Sequence, residues 1–227
     1  MIDHDESLLA GNQLFGDLPP ADRKQIIGLC SPQSVPARKV VFHQGEPGKD
    51  MYIVSSGRLK ISVVSGEGKE LSFFILKEGD IFGELALLDG ERRSATITAI
   101  EACELLVLHH LDFRKLLKKH HQIGLKLLSI LAGRVRATTG LYENSVFIEI
   151  PGRLAARLLD LAGEHGVETP GGLLIDLKLS QYELGTLINA SRESVNKQLN
   201  AWQNQGLIRI SDGRLLIPEP HVLESLL

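Results

Sequence analysis

The segment Phe82-Gly83-Glu84-Leu85-Ala86-Leu87-Leu88, continued by Asp89-Gly90-Glu91-Arg92-Arg93-Ser94-Ala95-Thr96, concentrates residue types suited to holding an anion beside a hydroxyl. A short turn presents backbone amides, and amides near a helix N-terminus favour a phosphate. Arg93 adds a charge-assisted hydrogen bond to the same anion. Glu84, nine residues earlier, can only accept when ionised, which suits a sugar hydroxyl. A ribose joined to a phosphate meets both demands. A plain surface Glu–Arg pair beside a tight turn is the competing reading for an isolated Gly-Glu-Leu-Ala. The length of the whole segment and its strand-rich setting favour the ligand.

These residues need a scaffold, and the flanking sequence predicts one. From Val40 to Leu108 the chain reads as short strands, VVF, MYIV, RLKISVV, LSFFIL, DIFG, SATITA and ELLVL, punctuated by glycines. That spacing predicts a β sandwich or jelly roll. In GRLKISVV the residues Leu59, Ile61 and Val63 alternate with Arg58, Lys60 and Ser62, the pattern of a half-buried strand.

After Leu108, FRKLLKKHHQIGLKLLSILAGRVRATTGLYENSV contains no proline and keeps helical periodicity over much of its length. Leu128, Leu131, Val135, Thr138 and Tyr142 recur at steps of three and four, the stripe a helix presents to a partner helix. A self-pairing helix would make a homodimer; an amphipathic helix laid on its own core would carry the same stripe. Gly140 inside this helix costs about 1 kcal/mol relative to alanine.

Pro151 and Gly152 interrupt the run and predict a domain boundary near Asn144 to Pro151. Ser180-Gln181-Tyr182-Glu183 has capping-box spacing, so a helix should start at Gln181. Asn189-Ala190-Ser191 breaks it, and Ser191 can cap the next. QYELGTLI, a short turn and RESVNKQLNAWQNQ have the lengths of a helix-turn-helix. LIRI and RLLI flanking Ser211-Asp212-Gly213 predict a hairpin wing. The expected class is α+β: a jelly roll with N-terminal helices over residues 1–110, a dimerisation-helix region over 111–147, and a winged helix-turn-helix over 148–227.

Composition narrows the field. The 227 residues are 43% hydrophobic and 23% charged, which suits an ordinary folded protein. Against 28 acids the 25 Lys and Arg leave a net charge of −3, so a basic coat for non-specific nucleic-acid binding is excluded. Cys30 and Cys103 are too few for a zinc ribbon, a disulfide framework or a four-cysteine iron–sulfur cluster. A reducing cytoplasm fits. The start, MIDHDESLLAG, carries acids where an export signal needs positive charge, and no stretch approaches about 18 apolar residues, so no membrane association is expected.

FGELALLDGERRSATITA resembles the phosphate-binding cassette of cyclic-nucleotide-binding domains, and the order of elements from about Phe15 to Leu216 resembles the bacterial catabolite activator and fumarate–nitrate regulator (CRP/FNR) family. The resemblance implies a homodimeric transcription factor whose effector is a cyclic nucleotide, cAMP or cGMP, with no other cofactor and no metal. It implies that Glu84 holds the ribose 2′-hydroxyl and that Arg93 and Ser94 hold the cyclic phosphate. Gly83 would allow close backbone approach, with Leu85 and Ala86 in the same turn. RVRATTGLYENSVFIEIPGR aligns so that Thr138 and Thr139 take the places of two hydroxyl residues that reach the base, one from the opposite subunit. Threonines in general more often bond to the preceding helical turn or to solvent.

Ser191-Arg192-Glu193-Ser194-Val195-Asn196-Lys197 resembles the family's DNA-recognition stretch, which gives Arg192 and Glu193 base-reading roles. The chemistry agrees, because arginine can grip guanine O6 and N7 and glutamate can accept from cytosine N4. Lys197 departs from the family's arginine and loses the planar fork. Val195, Leu199 and Trp202 are expected in the domain core. The implied partner is double-stranded DNA with an inverted repeat. The loop Gly163 to Gly172 lies where relatives can touch RNA polymerase, which makes polymerase a candidate partner.

Alternatives remain within the DNA-regulator reading: another effector, or none. Iron–sulfur sensing fails on the cysteine count, cyclic di-GMP is disfavoured by Arg93, and no histidine spacing singles out a haem ligand. A cupin-like metal enzyme is the reading from another class. His109-His110 would point to opposite faces of a strand, so they serve one metal poorly, and His120-His121 are adjacent on a helix. No nucleophile–base arrangement is legible, and the helix-turn-helix would be unexplained. The protein is therefore expected not to be an enzyme.

Overall fold

A computed structural model of the protein describes residues 2–226, with side chains from Ser7 onward; Met1 and Leu227, the outer ends of the first and last expected domains, lie outside the described residues. In chain order the first elements are α1 (Ile2–Gly11), α2 (Pro20–Leu29), β1 (Ser31–Val35), β2 (Val40–Phe42), β3 (Asp50–Ser56), β4 (Leu59–Val64), β5 (Glu70–Leu76), β6 (Ile81–Phe82), α3 (Leu85–Asp89), β7 (Thr96–Ala99) and β8 (Cys103–His109). There follow α4 (His110–Lys119), α5 (His121–Phe147), α6 (Ile150–His165), β9 (Gly166–Thr169), β10 (Gly172–Ile175), α7 (Gln181–Ile188), α8 (Arg192–Asn204), β11 (Arg209–Ser211), β12 (Arg214–Ile217) and α9 (Pro220–Glu224). Contacts divide them into two units, one running through Ser65 and then Phe73–Ala137, the other comprising Gly66–Ser72 and Thr138–Leu227.

Two four-stranded sheets, ordered β1-β8-β3-β6 and β2-β7-β4-β5, are built from the first unit apart from the first three residues of β5. Both contribute to one core, in which Phe42, Leu59, Leu76 and Ile97 meet Val35, Tyr52, Val54, Phe82 and Leu105. The opposite face of the first sheet is buried too. Met51, Ile53, Ile81, Leu106 and Leu108 pack there against Leu9, Phe15, Ile26, Phe113, Ile123 and Leu127 from the helical segments. Alternate residues of β3 thus enter two different cores, which is why its middle reads as an unbroken apolar run.

The structure adds two strands that the hydrophobic pattern does not announce. β1 pairs along β8 from Ser31 against Val107 to Val35 against Cys103, although four of its five residues are exposed. β9 pairs with β10, Thr169 opposite Gly172. The break after the long helix also differs in detail. α5 runs 27 residues to Phe147, and Pro151 lies inside the first turn of α6, where a missing N–H costs nothing.

The second unit contains the winged helix-turn-helix. The four-stranded sheet β11-β12-β10-β9 lies with α6, α7 and α8, around Leu154, Leu158, Leu184, Val195, Leu199, Trp202 and Ile217, all buried. Ser180 closes a full capping box: its hydroxyl accepts from the Glu183 amide at 3.2 Å while its own amide donates to Glu183 Oε2 at 2.7 Å. Asn189 ends α7 in the left-handed region at φ 52°, and Ser191 caps α8 by accepting from the Ser194 amide at 3.1 Å. Ser180→Ala should therefore lower the stability of this unit by about 1 kcal/mol, read as a shifted urea midpoint with an unchanged m-value; an unaltered midpoint would contradict the capping assignment.

Candidate functional site

Arg93 is the centre of the site, and its backbone is fixed before its side chain. Its amide donates to the Glu46 carbonyl and its carbonyl accepts from the Gly45 amide, each at 2.8 Å. The side chain is then driven inward until the residue is only 5% exposed. Its Nη1 donates to the Gly83 carbonyl at 2.8 Å. The guanidinium carbon lies 4.1 Å from the centroid of the Phe42 ring and 5.7 Å from that of Tyr52. Tyr52 in turn stacks on Phe82 at 4.8 Å. Its Nε is buried and makes no hydrogen bond.

Two glycines make this burial possible. Gly83 has φ +78°, and a Cβ there would stand 2.7 Å from Arg93 Nη1 and 3.1 Å from the Asp50 carbonyl. A Cβ on Gly48 would collide with Arg93 Nε. Burial pushes the Arg93 pKa down from its ordinary value, opposed by the Tyr52 phenol and by the carboxylates of Asp50, Glu84 and Glu46. The same burial pushes the Tyr52 phenol up.

Glu84 immediately precedes α3 and is 2% exposed. It does not stand as an open acceptor, as the sequence pattern taken alone would have it. Arg134, on α5, donates through Nη1 to Glu84 Oε1 at 2.7 Å and through Nη2 to the Ile81 carbonyl at 2.5 Å. Ala86 is buried on α3, while Leu85 and Ser94 are exposed. Gly83, Glu84 and Arg93 are thus brought together, with Leu85, Ala86 and Ser94 beside them in the chain. Thr138 and Thr139 belong to the second unit and are exposed on α5.

The second unit carries the other expected residues. Val195, Leu199 and Trp202 of α8 are buried, which turns Arg192, Glu193, Asn196 and Lys197 outward. Ser191 is occupied as the helix cap, bonding both the Ser194 amide and its hydroxyl. Gln181, expected only as the first residue of its helix, also donates to Asn196 Oδ1 at 2.9 Å and ties α7 to α8.

Two further residues were missed at the first site, Arg134 and Phe42. Arg134 lies four residues before Thr138, the spacing of one helix face, and that is the only signal the sequence offers for it. Phe42 sits in a three-residue strand whose pairing with β7 slips between Val40 and Phe42. Among the described residues no cluster of His, Cys, Asp or Glu could hold a metal ion, and no helix is long and apolar enough to cross a membrane.

Comparison with known proteins gives matches over both units. Residues 32–120 match the family model of the Cyclic nucleotide-binding domain, and residues 152–226 that of the Crp-like helix-turn-helix domain. A CRP-like cAMP-activated global transcriptional regulator of Mycobacterium tuberculosis is 32% identical over 214 residues, 94% of this chain and 96% of that protein. The cAMP-activated global transcriptional regulator CRP of Salmonella typhimurium is 33% identical over 181 residues, 79% of this chain and 85% of its own length. Among solved structures, the Thermus thermophilus catabolite activator protein is 30% identical with a TM-score of 0.55, covering 95% of this chain and 98% of its own. The c-di-GMP responsive regulator CLP of Xanthomonas campestris, 22% identical, shares the fold with a TM-score of 0.79 over 88% of this chain and 100% of its own.

Removing one partner of a buried ion pair leaves the other charge uncompensated, which typically costs several kcal/mol. Arg134→Met should lower stability by about 3 kcal/mol, and adding Glu84→Gln should recover most of that loss. Chemical denaturation of the two variants checks this; additive losses in the double variant would mean the pair is not coupled.

Proposed function

The chain belongs to the CRP/FNR family of DNA-binding transcription regulators and carries a cyclic-nucleotide-binding domain, and from that premise we propose that it is a homodimer whose affinity for DNA is set by a 3′,5′-cyclic purine nucleotide, cAMP or cGMP. The buried guanidinium of Arg93, with an Nε that lacks an acceptor, carries this reading. Desolvation makes an uncompensated cation a strong site for an anion. Arg93 and Arg134 are the cations of the site, and Arg93 makes no ion pair with a carboxylate among the described residues, which leaves it to pair with an anionic ligand.

In this reading Arg93 and Ser94 hold the phosphate, with Gly83, Leu85 and Ala86 lining the turn, and Glu84 accepts from the ribose 2′-hydroxyl. The nucleotide would then compete with Arg134 for Glu84, and a change at that carboxylate would be felt on α5. Thr138 and Thr139, on the same helix, would reach the base, one of them from the opposite subunit. The cAMP-activated relatives favour adenine over guanine. Binding and release would shift the population able to engage DNA, so the work is allosteric and not catalytic.

The dimer reading rests on α5. Leu128, Val135 and Tyr142 are 64%, 66% and 70% exposed there, and burying side chains of this kind contributes about 1.5–3 kcal/mol each. A pair of helix-turn-helix units would address an inverted repeat with half-sites about 34–36 Å apart. Arg192 and Glu193 would read bases, Lys197 a base or a phosphate, and Ser191 would hold the start of the reading helix. The segment Gly163 to Gly172, which is not a loop but the end of α6, β9 and the turn into β10, is the candidate contact for RNA polymerase, and the cytoplasm is the compartment these roles require.

Calorimetric titration with both cyclic nucleotides tests the effector. Wild-type protein should bind at least one, and Arg93→Leu should weaken that binding by about 10–150-fold, the equivalent of one charge-assisted phosphate contact. Unchanged affinity in the variant would remove Arg93 from the site. Selection from a randomised duplex library should return a two-fold repeat for the wild type. The Arg192→Ala protein should lose preference at one position per half-site, at roughly 1–3 kcal/mol.

A further inference from the structure

We propose that Phe42 is the positioning residue that sets the plane of the Arg93 guanidinium for its anion, an inference that rests on the reading of Arg93 as the phosphate ligand. Among the described residues no carboxylate forms an ion pair with Arg93; its side chain is held by the Gly83 carbonyl and by aromatic rings. A single hydrogen bond through Nη1 leaves the guanidinium able to swing about that contact. The Phe42 ring, 4.1 Å from the guanidinium carbon, removes that freedom by attracting one flat face of the cation.

The neighbourhood is built to keep the ring in place. Phe42 is 8% exposed and touches Tyr52 at 5.7 Å and Phe82 at 6.0 Å between centroids. Its strand slips register against β7 just before it, so Phe42 faces Ile97 while Val40 faces Thr98. Gly48, where a Cβ would collide with Nε, lets the guanidinium lie close against the backbone. The result is a guanidinium fixed on one face by the ring and at one edge by the Gly83 carbonyl, with a buried Nε that makes no hydrogen bond. Such a group needs no ordering when the phosphate arrives, which strengthens binding. A leucine at this position could fill much of the space but has no negative ring face to hold the cation.

The test separates the ring's electrons from its bulk. Mono-, di- and trifluorinated phenylalanine at position 42 keep the shape of the ring while progressively cancelling the negative potential of its face. Each full-length variant is titrated calorimetrically with cAMP and with cGMP and unfolded in urea. The affinity of the bound nucleotide should fall stepwise, by about five-fold at trifluorination, while the urea m-value and cooperativity stay those of the wild type. Phe42→Leu should weaken binding at least as much. Affinity that is constant across the fluorinated series overturns the proposal and leaves Phe42 as packing alone. A wild-type protein that binds neither nucleotide overturns the effector reading and this inference together, so the wild-type titration tells the two failures apart.

Discussion

Burying one guanidinium inside a β sandwich is the constraint around which the first unit is organised. A cation removed from water is costly unless the protein supplies replacements for its hydration. Here the replacements are one carbonyl from Gly83, the faces of Phe42 and Tyr52, and the field of Asp50, Glu84 and Glu46. They come from two separate stretches, residues 42–52 and 83–84, so the sandwich must bring both to Arg93 before the site exists. The glycines at 48 and 83 follow from the same demand, because the arginine occupies the space their side chains would need.

Glu84 extends this constraint to the long helix. The carboxylate is nearly inaccessible, and its partner Arg134 is on α5, fifty residues along the chain. A ligand that bonds Glu84 would alter a contact by which α5 senses the state of the turn at residues 83–86. That gives the proposed allostery a physical carrier: a carboxylate with two competing partners, one diffusible and one covalently part of the helix. The helix also bears the exposed leucine, valine and tyrosine side chains of the proposed dimer face, so both roles would fall on the same helix.

Much of this was legible in the sequence wherever the signal is local. The turn from Phe82 to Thr96 is contiguous, so its carboxylate, its arginine and its glycine can be read in one window. The caps at Ser180 and Ser191 act over three residues and were readable for the same reason. β1 was not, since SPQSV carries a proline and no apolar alternation and is held by β8 alone. The contacts of Arg93 with Phe42 and of Glu84 with Arg134 join residues about fifty positions apart and depend on the completed sandwich. Pro151 was legible as a helix boundary but belongs to the first turn of the following helix, because proline begins a helix as readily as it ends one.

The most direct test of the central claim, that two arginines and one buried carboxylate form a site for a singly charged cyclic phosphate, is to compare the affinities of 3′,5′-cyclic AMP and 5′-AMP at neutral pH. The linear nucleotide carries a charge of about −1.5 to −2 at neutral pH. Its excess negative charge would be desolvated close to Glu84, a penalty of several kcal/mol. The account predicts that the cyclic form binds at least about a hundred-fold more tightly. Equal affinities, or tighter binding of 5′-AMP, would contradict it.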